Sequence, residues 1–85
     1  MDGEQPRRFT RTRYRPGYAI PEVDAFIDRI EATLGLQARY GPAVTVTELA
    51  AVKFRLVRLK SGYDMREVDE ALDGYEQLLR EHGWQ

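Results

Sequence analysis

The sequence predicts a mainly α-helical domain: two long amphipathic helices, each preceded by a basic loop, with one short extra helix and coiled-coil-like pairing of two copies of one motif. Three observations predict it. The motif Phe9-x-x-x-Arg13-x-x-x-Gly17-Tyr18-x-x-x-Glu22-Val23-Asp24 returns 45 residues later as Phe54-x-x-x-Arg58-x-x-x-Gly62-Tyr63-x-x-x-Glu67-Val68-Asp69. Laid together without a gap, residues 9–34 and 54–79 share ten identities in 26 positions, which adds Asp28/Asp73, Glu31/Glu76 and Leu34/Leu79. Periodicity of this kind constrains the architecture before any local feature does. Apolar residues then recur in steps of four and three, at Val23, Ile27, Ile30 and Leu34 and again at Val68, Leu72, Tyr75 and Leu79, the spacing of a helical seam. Capping and turn residues bound both segments.

Taken in order, residues 1–8 are polar and read as a flexible N-terminus. The first motif and its helix span 9–35. Pro16-Gly17 signals a turn, and Gly17 is expected to adopt a backbone conformation that a Cβ would penalise. Pro21 suits a first helical turn, Glu22 and Asp24 complement the positive helix end, and Phe26 widens the seam. Gly35 is placed to cap the helix in the left-handed conformation, and a connector over 36–43 contains Gly41-Pro42. The second motif spans 44–83 and has an extra element in front. Thr45-x-x-Glu48 reads as a capping box opening a short helix to about Lys53, with Leu49 and Val52 facing inward. The alternation Val44-Thr45-Val46-Thr47 also fits a brief strand. Asp64-x-x-Glu67 is a second capping box, and Gly83 ends the last helix. Gly74 lies inside that helix, where glycine costs up to about 1 kcal/mol relative to alanine. It reads either as a point where a partner backbone approaches closely or as an unselected surface position. All this makes one compact domain.

The net charge of −1 hides a strong segregation. Residues 7–15 contain Arg7, Arg8, Arg11, Arg13 and Arg15 without an acid, and 53–60 contain Lys53, Arg55, Arg58 and Lys60 without an acid. The segment 64–81 carries seven acids against Arg66 and Arg80. Each copy is thus a basic, aromatic-bearing loop leading into an acidic helix. Such loops suit an anionic membrane surface, where each cation contributes about 1 kcal/mol and Phe9, Tyr14 or Leu59 could enter the interface. They also suit nucleic-acid phosphates, or the acidic helices of the same fold or a partner. An acidic helix is a poor groove reader, which argues against sequence-specific DNA binding.

Chemistry has little to stand on. With no cysteine there is no thiol nucleophile, thiolate metal site or disulfide framework. His82 is the only histidine and falls at a helix C-terminus, where it answers the helix dipole more readily than it acts as a base. The two Glu-Val-Asp triplets fall in first helical turns, which favours capping over metal binding. No phosphate-cradling glycine loop or nucleophile–base pattern is present. The expectation is a non-enzyme with no cofactor, metal or small-molecule substrate. No apolar run approaches the roughly 20 residues needed to span a bilayer, so a cytoplasmic protein is expected, at most peripheral to a membrane.

The pattern Arg-x-x-x-Gly-Tyr-x-x-x-Glu-Val-Asp followed by an apolar seam resembles the N-terminal domain of the DivIVA family, bacterial scaffolds of cell division and polar growth. The second copy resembles it over more of its length, with Val44–Leu49 similar to the leading short helix and Phe54 to the family's aromatic. The first copy lacks that helix and has Ala19 where the family usually has aspartate. The resemblance implies a parallel pair of helices whose preceding loops cross at a tip and meet anionic membrane. By position, the tip would be Tyr14, Arg15 and Pro16 with Leu59, Lys60 and Ser61. It further implies an adaptor or scaffold-binding module at the membrane, pole or septum, with a coiled-coil scaffold or a second copy as partner. The alternatives are a nucleic-acid-associated regulator and a cytosolic structural module without membrane contact. The contact residues on this reading are Arg11, Arg13, Tyr14, Arg15, Arg55, Arg58, Leu59 and Lys60. Gly17, Tyr18, Gly62 and Tyr63 shape the loops.

Overall fold

The computed structural model describes residues 8–35 and 43–85, so the proposed flexible N-terminus and the connector lie almost wholly outside the described residues. The chain forms β1 (Arg11–Thr12), β2 (Gly17–Tyr18), α1 (Ile20–Thr33), α2 (Val46–Ala51), β3 (Leu56–Val57), β4 (Gly62–Tyr63) and α3 (Met65–Glu81). This overturns the expected mainly α fold with coiled-coil pairing. Each basic loop contains two short strands, and the architecture is three helices with a four-stranded antiparallel sheet of order β1-β4-β2-β3. Each strand is only two residues long, too short to leave a period-two pattern in the sequence.

The sheet is woven from both copies. β1 pairs with β4 through Arg11↔Tyr63 and Thr12↔Gly62, and β3 pairs with β2 through Leu56↔Tyr18 and Val57↔Gly17. The two middle strands pair at Tyr18↔Tyr63. A shift of 45 residues turns each of these pairings into another of the set, so the sheet has a pseudo-twofold relation centred between Tyr18 and Tyr63. No strand pairs with the other strand of its own copy.

The helices start and stop as local chemistry dictates. α3 begins where the Asp64 carboxylate accepts from the Glu67 N–H at 3.0 Å. Its C-terminus closes with Gly83 at φ +84° and with Trp84 N–H donating to the Leu79 carbonyl at 2.9 Å. α1 has Pro21 in its first turn but no side-chain cap, because Ala19 stands at its N-cap, and it ends at Gly35, also at φ +84°. α2 starts at Thr45, whose hydroxyl accepts from the Glu48 N–H at 3.2 Å, so the strand alternative for 44–47 does not occur.

The core lies beneath the sheet. Val23, Ile27 and Ile30 of α1 meet Val68, Leu72 and Leu79 of α3, joined by Phe26, Val44, Val46, Leu49 and Tyr63. Leu34 and Tyr75 complete the seams half-buried. Val23 and Val68 are wholly buried, and burial of each such aliphatic stabilises by roughly 1.5–3 kcal/mol. α2 closes one side: Arg29 on α1 makes paired bonds to Glu48 at 2.9 and 3.1 Å, and Val46 N–H donates to the Trp84 carbonyl at 2.9 Å.

Candidate functional site

The identical residues of the two copies lock the copies to each other. Tyr18 Oη donates to Asp69 at 2.9 Å, and Tyr63 Oη donates to Asp24 at 2.9 Å. The Arg55 N–H donates to Glu22 Oε1 at 2.8 Å, and the Thr10 N–H donates to Glu67 Oε1 at 2.8 Å. Backbone bonds follow the same rule, with Ala19 N–H to the Arg55 carbonyl and Asp64 N–H to the Thr10 carbonyl, both 2.8 Å. Phe9 stacks edge-on against Tyr63 at 5.1 Å between ring centres, and Phe54 against Tyr18 at 5.3 Å.

These contacts correct three expectations. Glu22, Asp24, Glu67 and Asp69 do more than answer the helix dipole, since each carboxylate accepts a hydrogen bond from the other copy. The Asp64 box is only half a capping box, because Glu67 reaches across to Thr10 instead of back to the Asp64 N–H. Gly17 does not sit at positive φ; that conformation belongs to Gly35 and Gly83. Glycine is needed because a strand of its own copy and the backbone of the other copy both pass close. A Cβ on Gly17 would overlap Thr12 Oγ1 and stand 2.9 Å from the Tyr63 carbonyl oxygen. One on Gly62 would stand 2.8 Å from Val57 Cγ2 and 3.0 Å from the Tyr18 carbonyl oxygen. Such approaches lie well inside van der Waals contact.

Burial, and next the hydrogen bond to Asp69, pushes the Tyr18 phenol above its ordinary range. Burial and the bond to Asp24 do the same for Tyr63. Tyr75 is raised by burial and then by the charge of Glu31, to which its hydroxyl donates at 3.2 Å. All three phenols are held in the neutral, donating form.

With the interlock assigned, the tip remains. Residues 13–16 connect two strands that flank β4, and 58–61 connect two strands that flank β2. The expected contact residues lie on these connections and the strands leading into them. Tyr14 is 81% exposed and Leu59, its counterpart, 89%. Tyr14 also has φ +67°, which is uncommon for a bulky residue. Arg15 reaches Asp64 at 3.5 Å, and Arg55 lies 3.7 Å from Glu22. The side chains of Arg11, Arg13, Arg58 and Lys60 are exposed and form no ion pair or hydrogen bond among the described residues. The sequence reading groups all of these as contact residues and does not tell the paired cations from the unpaired ones.

Elsewhere, Arg8 bridges Asp24 and Asp28 of α1 at 3.2 and 2.6 Å. His82 Nδ1 lies 2.9 Å from the Leu78 carbonyl, a contact at the end of α3. Among the described residues no group of three histidine, cysteine or carboxylate side chains is placed to hold a metal, and no helix is long and apolar enough to cross a membrane. No protein-family model, curated protein or solved structure matches the chain.

Proposed function

We propose that this protein is a non-enzymatic docking module whose interlocked basic loops present a cationic tip to an anionic surface, with the cytoplasmic face of a membrane as that surface. One observation carries the reading. Of the ten identities between the copies, Arg13/Arg58 is the pair in which neither side chain has a partner among the described residues, while the others nearby are spent on the interlock. A residue type kept twice at the same exposed loop position, with nothing in the fold to bind, fits an external anion. Lys60 and Arg11 add to the same patch, and Tyr14 and Leu59 supply apolar side chains able to enter the interfacial layer. The bacterial division or polar-growth setting, and a role as adaptor to a larger scaffold, rest on the resemblance to DivIVA.

The test is sedimentation with anionic and neutral vesicles at low and moderate salt, comparing the native chain with the Arg13→Glu, Arg58→Glu, Lys60→Glu triple variant. At about 1 kcal/mol per cation, the variant should lose roughly a hundredfold in affinity for anionic vesicles and keep its melting temperature. Equal binding by the variant would remove the electrostatic tip. Salt-steep binding to DNA with no vesicle binding would transfer the tip to nucleic acid.

A further inference from the structure

In the first copy a guanidinium joins carboxylates whose counterparts in the second copy have none. Arg8 forks across one turn of α1: Nη1 donates to Asp24 Oδ1 at 3.2 Å and to the Asp24 carbonyl at 3.1 Å, and Nη2 donates to Asp28 Oδ1 at 2.6 Å, with Glu31 Oε1 3.6 Å away. The same Asp24 oxygen accepts from Tyr63 Oη. A shift of 45 residues carries this cluster to the identical residues Tyr18, Asp69, Asp73 and Glu76, and carries Arg8 to Lys53. The phenol–carboxylate bond is reproduced at the same 2.9 Å. The cation is not. Lys53 and Asp73 are both exposed, and neither side chain has an ion pair or hydrogen bond among the described residues. The cations of α3 are engaged elsewhere, Arg66 lying 3.8 Å from Glu70 and Arg80 2.8 Å from Glu76. Arg80 stands where the first copy has Gly35, so Glu76 is spent and Asp69 and Asp73 remain.

Beside Asp69 lies a groove of about 300 Å³ whose walls include Tyr18, Lys53, Leu56, Met65 and Leu72. Asp73 follows one turn further along α3. These wall positions correspond to Tyr63, Arg8 itself, Arg11, Ile20 and Ile27 in the first copy. Leu56, 51% exposed, replaces the cationic Arg11 with an apolar wall, and Met65 offers an adaptable one. Lys53 does not repeat the role of Arg8 for a chemical reason. A planar guanidinium presents its N–H groups as a fork that spans two carboxylates one helical turn apart, whereas an ammonium is a compact, strongly hydrated point charge. The second copy thus keeps the acceptors of the Arg8 fork, adds apolar walls beside them, and lacks the fork.

We propose that the Tyr18–Asp69–Asp73 groove receives an arginine side chain of a partner protein, its guanidinium forked across Asp69 and Asp73 as Arg8 is across Asp24 and Asp28, and its stem lying on Leu56 and Met65. The first copy is the template, because the same three residue types there hold a guanidinium. The proposal does not depend on what the tip binds. The probe is the blocked peptide acetyl-Gly-Arg-Gly-amide, with its lysine analogue as control, titrated into the tens of millimolar against the isotope-labelled full chain at constant ionic strength. Amide shifts should centre on Tyr18, Leu56, Asp69 and Asp73, weaken at higher salt, and reach half-saturation at a roughly fivefold lower concentration than with the lysine peptide. The Asp73 side chain has no partner among the described residues, so Asp73→Asn should keep the melting temperature and bind the arginine peptide roughly fivefold more weakly. Lys53→Ala removes a competing cation and should bind it a few-fold more tightly. No shifts, equal response to the lysine peptide, or equal binding by Asp73→Asn would overturn the proposal. So would shifts centred on Asp24 and Asp28, meaning that the peptide displaces Arg8. Self-association of the unliganded chain that Asp73→Asn abolishes would assign the groove to an arginine of a second copy and overturn it equally.

Discussion

The two strand-and-loop arms are built from one motif, and they agree in the side chains that bond across to the other copy and differ in several that do not. The Tyr–Asp bonds are 2.9 Å on both sides, and the carboxylate bonds from Glu22 and Glu67 are both 2.8 Å. Toward the tip the copies diverge around the shared Arg13 and Arg58: Tyr14 against Leu59, and Arg15 with a carboxylate partner against Lys60 without one among the described residues. The Arg15–Lys60 difference traces to one position. Asp64 caps α3 and pairs with Arg15, whereas Ala19, with nearly the same backbone angles, can do neither for α1 and Lys60. The tyrosines, carboxylates and glycines of the interlock recur because each makes the same cross-copy contact on both sides of the pseudo-twofold relation, whereas positions that contribute only backbone, such as Thr10 and Arg55, differ. The tip, which faces outward, is free to specialise.

The comparison breaks most easily at its closest contacts. Gly17→Ala and Gly62→Ala should each cost about 3 kcal/mol in chemical denaturation, because the new methyl meets the backbone of the other copy. Tolerance of one and not the other would mean that the interlock is not symmetric. Next come the tyrosines. Tyr18→Phe and Tyr63→Phe should each cost about 1.5 kcal/mol, equally, through loss of a bond to a carboxylate. These phenols also set an alkaline limit. Their folded pKa values lie above the unfolded value of 10.0, so their contribution is complete below pH 10 and is lost as pH rises through the folded values. Denaturation followed from pH 8 to 12 should show a plateau and then a decline, and the double phenylalanine variant should lose most of the decline.

Two smaller effects sharpen the difference. Ala19→Asp should add about 1 kcal/mol by capping α1, and by pairing with Lys60 it should weaken binding to anionic vesicles a few-fold. More stability with unchanged vesicle binding would take Lys60 out of the tip. Thr12 Oγ1 is buried without a hydrogen-bond partner among the described residues, and Thr12→Val copies what the second copy already has at Val57. That change should stabilise by about 1 kcal/mol, read from the denaturation midpoint.

The helices were legible because their seams repeat in steps of four and three and their ends carry Pro21, Asp64, Gly35 and Gly83. The sheet was not legible, since two-residue strands carry no period and their partners lie about 45 residues away in the chain. Its signal was nevertheless present in the repeat itself. Glu22 and Asp24 recur as Glu67 and Asp69 because each must reach the other copy, a meaning that first-turn placement on a helix concealed. Gly17 was recognised as indispensable, but for backbone conformation instead of close approach. The cationic tip was legible as composition. Which of its cations are unpaired depends on Asp64, Glu22 and the missing aspartate at position 19, and so on the fold.

The central claim is that every strand pairing joins one copy to the other. Cross-strand nuclear Overhauser contacts test it most directly, in a sample whose sedimentation mass is that of one 9.9 kDa chain. The account predicts contacts between Arg11 and Tyr63, between Tyr18 and Leu56, and between Tyr18 and Tyr63. Contacts between Arg11 and Tyr18 and between Leu56 and Tyr63, with each hairpin closed on itself, would contradict it.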